Sequence, residues 1–376
     1  MNAHSGPRTI AALLSLAAIL IVTVVGSSSS LAQALQPQPD LTIDATIRKQ
    51  VIEGVLKSLN DYYVFPEVAK KMEEAIRERL QKGEYDQVTS AAQLARTLTG
   101  HLQGVSRDRH LGVRYSHDPI VAEGQRQAPN PEEMERARYQ SALRNFGFER
   151  VERLQGNIGY LELRGFGPGD WAGDTAAAAM AFLANTDALI IDLRNNGGGG
   201  PDIIILLSSY LFGGEPVHLM DTYWREGDQT IQRWTMPYVS GKRYVNKDVY
   251  ILTSKRTFSA AESFAYGLQS VKRARVVGET TGGGAHPGGM RRINEHFAVF
   301  MPNGRAINPV TKTNWEGVGV KPDIAVPAEQ ALKTAHLTAV SKLMENPKDS
   351  ERKEQLKSVA DSLQRELAEV KKGKEK

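Results

Sequence analysis

Cysteine is absent from all 376 residues, and that one absence removes several chemistries. A disulfide scaffold, a thiolate zinc centre, an iron–sulfur cluster and a thiol nucleophile all require it. Aromatic residues are few, at 7%, and no dense basic run is interleaved with them, so nucleic acid is not an expected partner. Charge of one sign is missing too: 47 basic against 43 acidic side chains leave a formal net charge of only +4. Glycine is not scarce, at 34 residues, but it is clustered rather than periodic, which excludes a collagen-like repeat. What is present is 41% apolar residues on a chain long enough for two or three domains and a real core.

The single long hydrophobic run lies at the start. Arg8 precedes an apolar stretch from Ile10 to Val25, and small residues at Ala32 and Ala34 close the polar segment that follows. Residues 1–34 thus have the layout of a secretory signal peptide. The mature protein is expected to be exported, periplasmic or secreted, with no stable membrane insertion after cleavage. An uncleaved anchor is the competing reading, although the run is short for a span. Residues 35–42 read as a proline-bearing linker.

Residues 43–105 read as a bundle of three helices. Ile47, Val51, Val55 and Leu59 recur at i+4 steps, as do Val68, Met72, Ile76 and Leu80, and Ser90 with Gln93 has capping-box spacing for the third helix. Residues 106–149 form a connecting segment with a short strand at His110 to Tyr115 and a helix from Glu132 to Leu143. From 150 to 327 strands and helices alternate: strands at 158–163, 188–193, 248–253 and 274–278, helices at 174–185, after Pro201 and at 259–268. That alternation predicts an α/β domain, and the whole an α/β (α+β) protein. Residues 328–376 read as helices ending in a charged tail, an amphipathic helix packed on the body or, alternatively, a partner-binding helix.

The glycine run Gly197 to Gly200 follows a strand and opens a helix, in outline a dinucleotide turn. The fingerprint fails, because the sixth position is Asp202, and no lysine–serine or lysine–threonine pair follows any glycine run. His101, His110 and His117 lack zinc-ligand spacing and no His-Glu-x-x-His occurs, so neither metal nor cofactor is expected. Ser259 stands at the start of a helix, within Thr257-Phe-Ser-Ala-Ala-Glu262. Its own segment allows two readings: a helix cap completed by Glu262, or a nucleophile whose oxyanion is held by the following N–H groups.

Four ordered motifs decide between them by resemblance. Leu189-Ile-Ile-Asp-Leu-Arg-Asn-Asn-Gly-Gly-Gly199 resembles the glycine turn of the S41 serine peptidases, and Thr257-Phe-Ser-Ala-Ala-Glu-Ser-Phe264 their nucleophile motif. Val277-Gly-Glu-Thr-Thr-Gly-Gly-Gly284 and Asn314-Trp-Glu-Gly-Val-Gly-Val-Lys-Pro-Asp323 are similar to the motifs that follow. Upstream, Tyr62-Tyr-Val-Phe-Pro66 and Asp108-Arg-His-Leu-Gly-Val113 resemble the branch containing the tricorn core and the interphotoreceptor retinoid-binding protein repeats. The resemblance runs from about residue 43 to 343. It implies a crotonase- or ClpP-type α/β domain, Ser259 as nucleophile, His110 as general base and Glu316 as the carboxylate that orients the base. It also implies an oxyanion hole from the N–H groups of Gly198 and Ala260, an endopeptidase activity on peptide or unfolded protein, and no cofactor or metal.

Departures from the family pattern narrow the branch. The processing proteases use a lysine base about 25 residues after the serine, and that position here is Gly284. Only 47 residues separate His110 from Ile158, too few for their PDZ domain. Arg109 stands where tricorn has a smaller residue. His286, in the glycine- and proline-bearing loop Gly284 to Pro287, is a rival base or a substrate-loop residue. The retinoid-binding repeats leave a non-catalytic apolar-ligand protein as the alternative on the same fold, and a small-molecule serine hydrolase is a third reading.

Overall fold

The computed structural model describes residues 39–121 and 130–374. The expected signal peptide, and the first half of the linker after it, lie outside the described residues. Asp40 to Lys376 form one compact unit.

The i+4 rows of the first segment become α1 (Ala45–Tyr62), α2 (Pro66–Gln81) and α3 (Ala91–Ser106), with Asp44 capping Ile47 N–H and Ser90 capping Gln93 N–H. Val51, Val55, Leu59, Met72 and Ile76 are all buried in one cluster with β1 (Gly112–Tyr115). Next come α4 (Pro131–Ala142), which buries no residue, β2 (Phe148–Leu154) and β3 (Ile158–Leu163). The chain continues through α5 (Gly169–Leu183), β4 (Ala188–Asp192), α6 (Pro201–Leu211), β5 (His218–Trp224) and β6 (Gln229–Trp234). It then runs through β7 (Asp248–Thr253), α7 (Ala260–Ser270), β8 (Arg275–Gly278), β9 (Gly288–Arg292) and β10 (Phe297–Pro302). The last elements are β11 (Gly304–Ile307), β12 (Ile324–Ala325), α8 (Ala328–Glu345) and α9 (Ser350–Lys374).

The main sheet has the order β12-β8-β7-β4-β3-β2, parallel except for the edge strand β2. Strand side chains alternate between faces, and each face has its own cover. Leu161, Leu189, Ile191 and Ile251 pack under α5, α6 and α7, while Tyr160, Ile190, Tyr250 and Leu252 pack under α8 and α9. The result is the mixed α/β architecture that the alternation implies. Two three-stranded antiparallel sheets complete it, β1-β10-β9 against the helical bundle and β11-β5-β6.

Helix α5 begins at Gly169, five residues before the start read from the alanine run. Pro168 sets the boundary, and Gly169 and Gly173 hide the first turn from a propensity reading. The charged tail is a helix on the body: Leu356, Ala360 and Leu363 are buried, and Lys333–Glu366 (2.9 Å) and Arg352–Asp187 (2.8 Å) tie it down. Among the described residues no helix is long and apolar enough to cross a membrane.

Candidate active site

In a parallel sheet the loops at the carboxyl ends of neighbouring strands meet, and that edge is where open α/β sheets bind ligands. Here β4 and β7 are neighbours. The turn after β4 is stitched to the loop after β7 by Thr257 Oγ1, which donates to Leu193 O at 2.8 Å, and by Phe258 N–H, which donates to Asn196 O at 3.1 Å. These bonds set the glycine turn against Ser259. A Cβ on Gly198, where φ is +111°, would stand 3.0 Å from Ser259 Cβ and 3.1 Å from Ala260 N. A side chain cannot be placed there without moving the serine.

Ser259 itself has φ 55° and ψ −118°. The ordinary caps of this chain differ: Asp44 has φ −93° and Ser90 φ −95°. A non-glycine residue held at positive φ costs on the order of 1–3 kcal/mol and persists only where its surroundings enforce it. The enforcing group is Glu262, fully buried one turn into α7. Its carboxylate accepts Ser259 N–H (2.8 Å), Gly283 N–H (2.6 Å), Gly284 N–H (2.9 Å) and the Thr281 hydroxyl (2.5 Å). Burial pushes the Glu262 carboxyl upward, and these donors act against that by favouring the anion. Glu262 therefore does more than cap: it binds the helix start to the Gly282–Gly284 loop.

His110 follows Asp108, whose Oδ1 accepts the His110 N–H at 3.0 Å. The imidazole lies 4.6 Å from the Phe258 ring and 5.9 Å from Phe300. Burial holds it below the usual imidazole range, so the neutral form is favoured. Ser259 and His110 open into the same cavity of about 240 Å³, whose walls are mainly apolar and include Leu219, Phe264 and Trp315. Arg109 fastens the segment to the glycine loop through a 2.7 Å hydrogen bond to Gly282 O.

His286 does not lie in an open substrate loop, as its glycine and proline neighbours suggest. It is 5% exposed and does not line the cavity. Its Nδ1 lies 2.8 Å from Asp108 Oδ2 and 3.5 Å from Glu316 Oε2, and Tyr63 donates to the same Asp108 oxygen at 3.2 Å. The loop is drawn inward because a buried aspartate needs a partner. Asp108 is the residue that sequence reasoning missed. It lay inside a quoted motif, but its hydrogen bonds to backbone and to a distant histidine leave no spacing signal.

Glu316 accepts Ala285 N–H at 2.5 Å, and burial, reinforced by the nearby Asp108, pushes its carboxyl up to about 7. Among the described residues no hydrogen bond joins Glu316 to His110. His110 Nδ1 and Glu316 Oε1 are each buried without a hydrogen-bond partner. Of the expected oxyanion donors, Ala260 N–H is the first of α7, with no intrahelical acceptor. Gly198 N–H donates to Asn196 Oδ1 at 2.9 Å. One donor atom from each of Asp108, His286 and Glu316 falls within 4.8 Å of the others, close enough to hold a cation. Within the cluster the Asp108–His286 contact, at 2.8 Å, is a direct hydrogen bond.

A family model described as peptidase family S41 matches residues 157–326, and another, described as the N-terminal domain of Peptidase_S41 in eukaryotic IRBP, matches residues 41–146. The chain belongs to peptidase family S41. Its fold is similar to that of a putative peptidase from Parabacteroides merdae, with TM-score 0.53 and 19% identity over 76% of this chain and 92% of that one. The photosystem II D1 C-terminal processing protease is similar with TM-score 0.48 and 15% identity, over 75% of this chain and 94% of its own. The tricorn protease gives TM-score 0.45 and 14% identity, over 85% of this chain and 37% of its own. Within this S41 chain the Gly282–Gly284 loop packs on the His110 segment, and the second matched region thereby supplies a wall of the cavity that holds Ser259.

Proposed function

We propose that this chain is an exported serine peptidase that cleaves peptide or unfolded-protein substrates through an acyl-enzyme on Ser259. The observation that carries the reading is a serine forced to positive φ at a helix start, opening into one cavity with a half-buried histidine whose neutral form is favoured. Ser259 Oγ attacks the scissile carbonyl carbon while His110 takes the hydroxyl proton. The oxyanion forms at the N-terminus of α7, within reach of Ala260 N–H, where the helix dipole also favours negative charge. Gly198 N–H joins as a second donor when its turn to Asn196 opens. The His110 imidazolium then protonates the leaving amine; water, deprotonated by His110, attacks the ester, and the imidazolium returns that proton to the departing Ser259 Oγ. Glu316, once ionised, stabilises the imidazolium. His110 Nδ1 and Glu316 Oε1, each buried without a hydrogen-bond partner, are the atoms this role would bring together.

Export rests on the signal-like layout of residues 1–34. Endopeptidase cleavage is tested by incubating the mature protein with a denatured substrate protein and mapping new termini by mass spectrometry. Internal cleavage by the wild type that is absent from Ser259→Ala supports the reading. The apolar cavity also suits an apolar-ligand protein. No cleavage by folded wild type, with saturable binding of an apolar ligand, would favour that alternative.

A further inference from the structure

The cavity beside Ser259 holds one residue that apolar packing does not call for. Arg233, on β6, lines it together with Leu219, Met220, Ile205 and Trp224, and no aspartate or glutamate among the described residues does. Arg233 pairs in register with Met220 across the hairpin, and cross-strand partners share a face. The register shifts between His218 and Met220, so the bulge sits at the residues that turn toward the cavity.

Other half-buried guanidinium groups here are held by oxygen acceptors, or, in Arg305, lie over the Phe65 and Tyr223 rings. Arg194 is paired with Asp192 at 2.6 Å, and Arg273, equally desolvated, donates to three backbone carbonyls. Arg225 and Arg243 are likewise held by carbonyl oxygens. Arg233 donates to the Thr222 hydroxyl, and among the described residues no carboxylate forms an ion pair with it. The nearest acidic influence is Asp202, and burial outweighs it, holding the guanidinium below its ordinary range. A cation taken partly out of water with a single neutral acceptor is costly, and an incoming anion relieves that cost. The guanidinium fork fits a carboxylate with two parallel hydrogen bonds.

We infer that Arg233 is an anion anchor in the Ser259 cavity, which takes an apolar group bearing one carboxylate. This rests on the reading of that cavity as the substrate site. A volume of about 240 Å³ suits a single large side chain or short alkyl chain, since an apolar cavity of about 150 Å³ already holds benzene. The carboxylate can be a chain end beside an apolar side chain, or the tip of an alkyl chain.

The test uses the mature Ser259→Ala protein, so that binding is read without turnover, and titration calorimetry with two acid–amide pairs. N-acetylphenylalanine against its carboxamide represents the chain end, and hexanoate against hexanamide the alkyl tip. The expected result is at least tenfold tighter binding of the acid in one pair, about 1.4 kcal/mol. That preference should fall below twofold with Arg233→Gln and persist in part with Arg233→Lys, while the thermal midpoint is unchanged. The pair that responds identifies the source of the carboxylate. Equal binding of acid and amide in both pairs, or a preference that survives Arg233→Gln, overturns the proposal. Fluorophosphonate labelling of wild type, scored separately, shows whether the peptidase reading itself has failed.

Discussion

The Cβ that Gly284 lacks would stand 2.7 Å from Cε1 of the His110 imidazole and 2.2 Å from Cζ of Phe258. The position at which the resemblance would put the lysine of the processing branch thus points, in this chain, into the space that the histidine fills. A lysine there and the imidazole of His110, the proposed base, would compete for one volume. This gives the glycine at 284 a physical reason beyond loop flexibility.

Gly284→Ala should therefore damage the site at its centre. Its methyl meets ring atoms on both sides, and overpacking of this kind costs about 1–3 kcal/mol. The expected outcome is a lower thermal midpoint and a fall of at least tenfold in the rate at which Ser259 reacts with a fluorophosphonate. Unchanged reactivity would mean that His110 is free to move away without consequence.

Glu262→Gln tests what holds Ser259 at positive φ. The amide keeps the shape but offers one acceptor oxygen to the four donors that meet the carboxylate. Hydrogen bonds to a charged group contribute about 1.5–3 kcal/mol each, so the loss should show as a clear drop in denaturation midpoint. Labelling of Ser259 should slow in parallel, because the helix start and the glycine loop lose their common anchor.

The pH profile separates two groups. Burial lowers His110 below its ordinary 6.5, so the loss of base as it protonates should appear only below pH 6.5. Glu316 is pushed up to about 7, and any contribution that needs its anion is lost as pH falls through that value. Glu316→Gln should remove a step near pH 7 from the reactivity of Ser259 and leave the lower limb in place. Stability moves in the opposite sense. The folded protein holds a proton on Glu316 that the unfolded chain releases near its ordinary 4.5, so this contribution is present below 4.5 and lost as pH rises through about 7. Glu316→Gln should accordingly increase the free energy of unfolding relative to wild type at pH 8, by at most about 3 kcal/mol, and not at pH 4.

The elements legible in the sequence are those with a strong apolar period. The i+4 rows of α1 and α2 and the buried runs of β4 and β7 announce themselves, because a covered sheet or bundle leaves no choice of residue. The hairpin β5–β6 does not: every residue from Gln229 to Trp234 other than Arg233 is exposed, so it carries no burial pattern. Edge strand β2, with Glu and Arg along it, hides for the same reason. At the candidate site, the proposal of Ser259, His110 and Glu316 comes from resemblance to ordered motifs. Asp108, the inward turn of His286 and the isolation of Arg233 were not legible. Each depends on what lies opposite in space, between residues as far apart as 108 and 286.

The central claim is that Ser259 is activated by His110, and intact-mass measurement of fluorophosphonate labelling on the mature protein addresses it most directly. Wild type should take up one probe, Ser259→Ala none, and His110→Ala should label at least a hundredfold more slowly, the scale on which a general base acts. Full-rate labelling of folded His110→Ala, or none of folded wild type, would contradict the account.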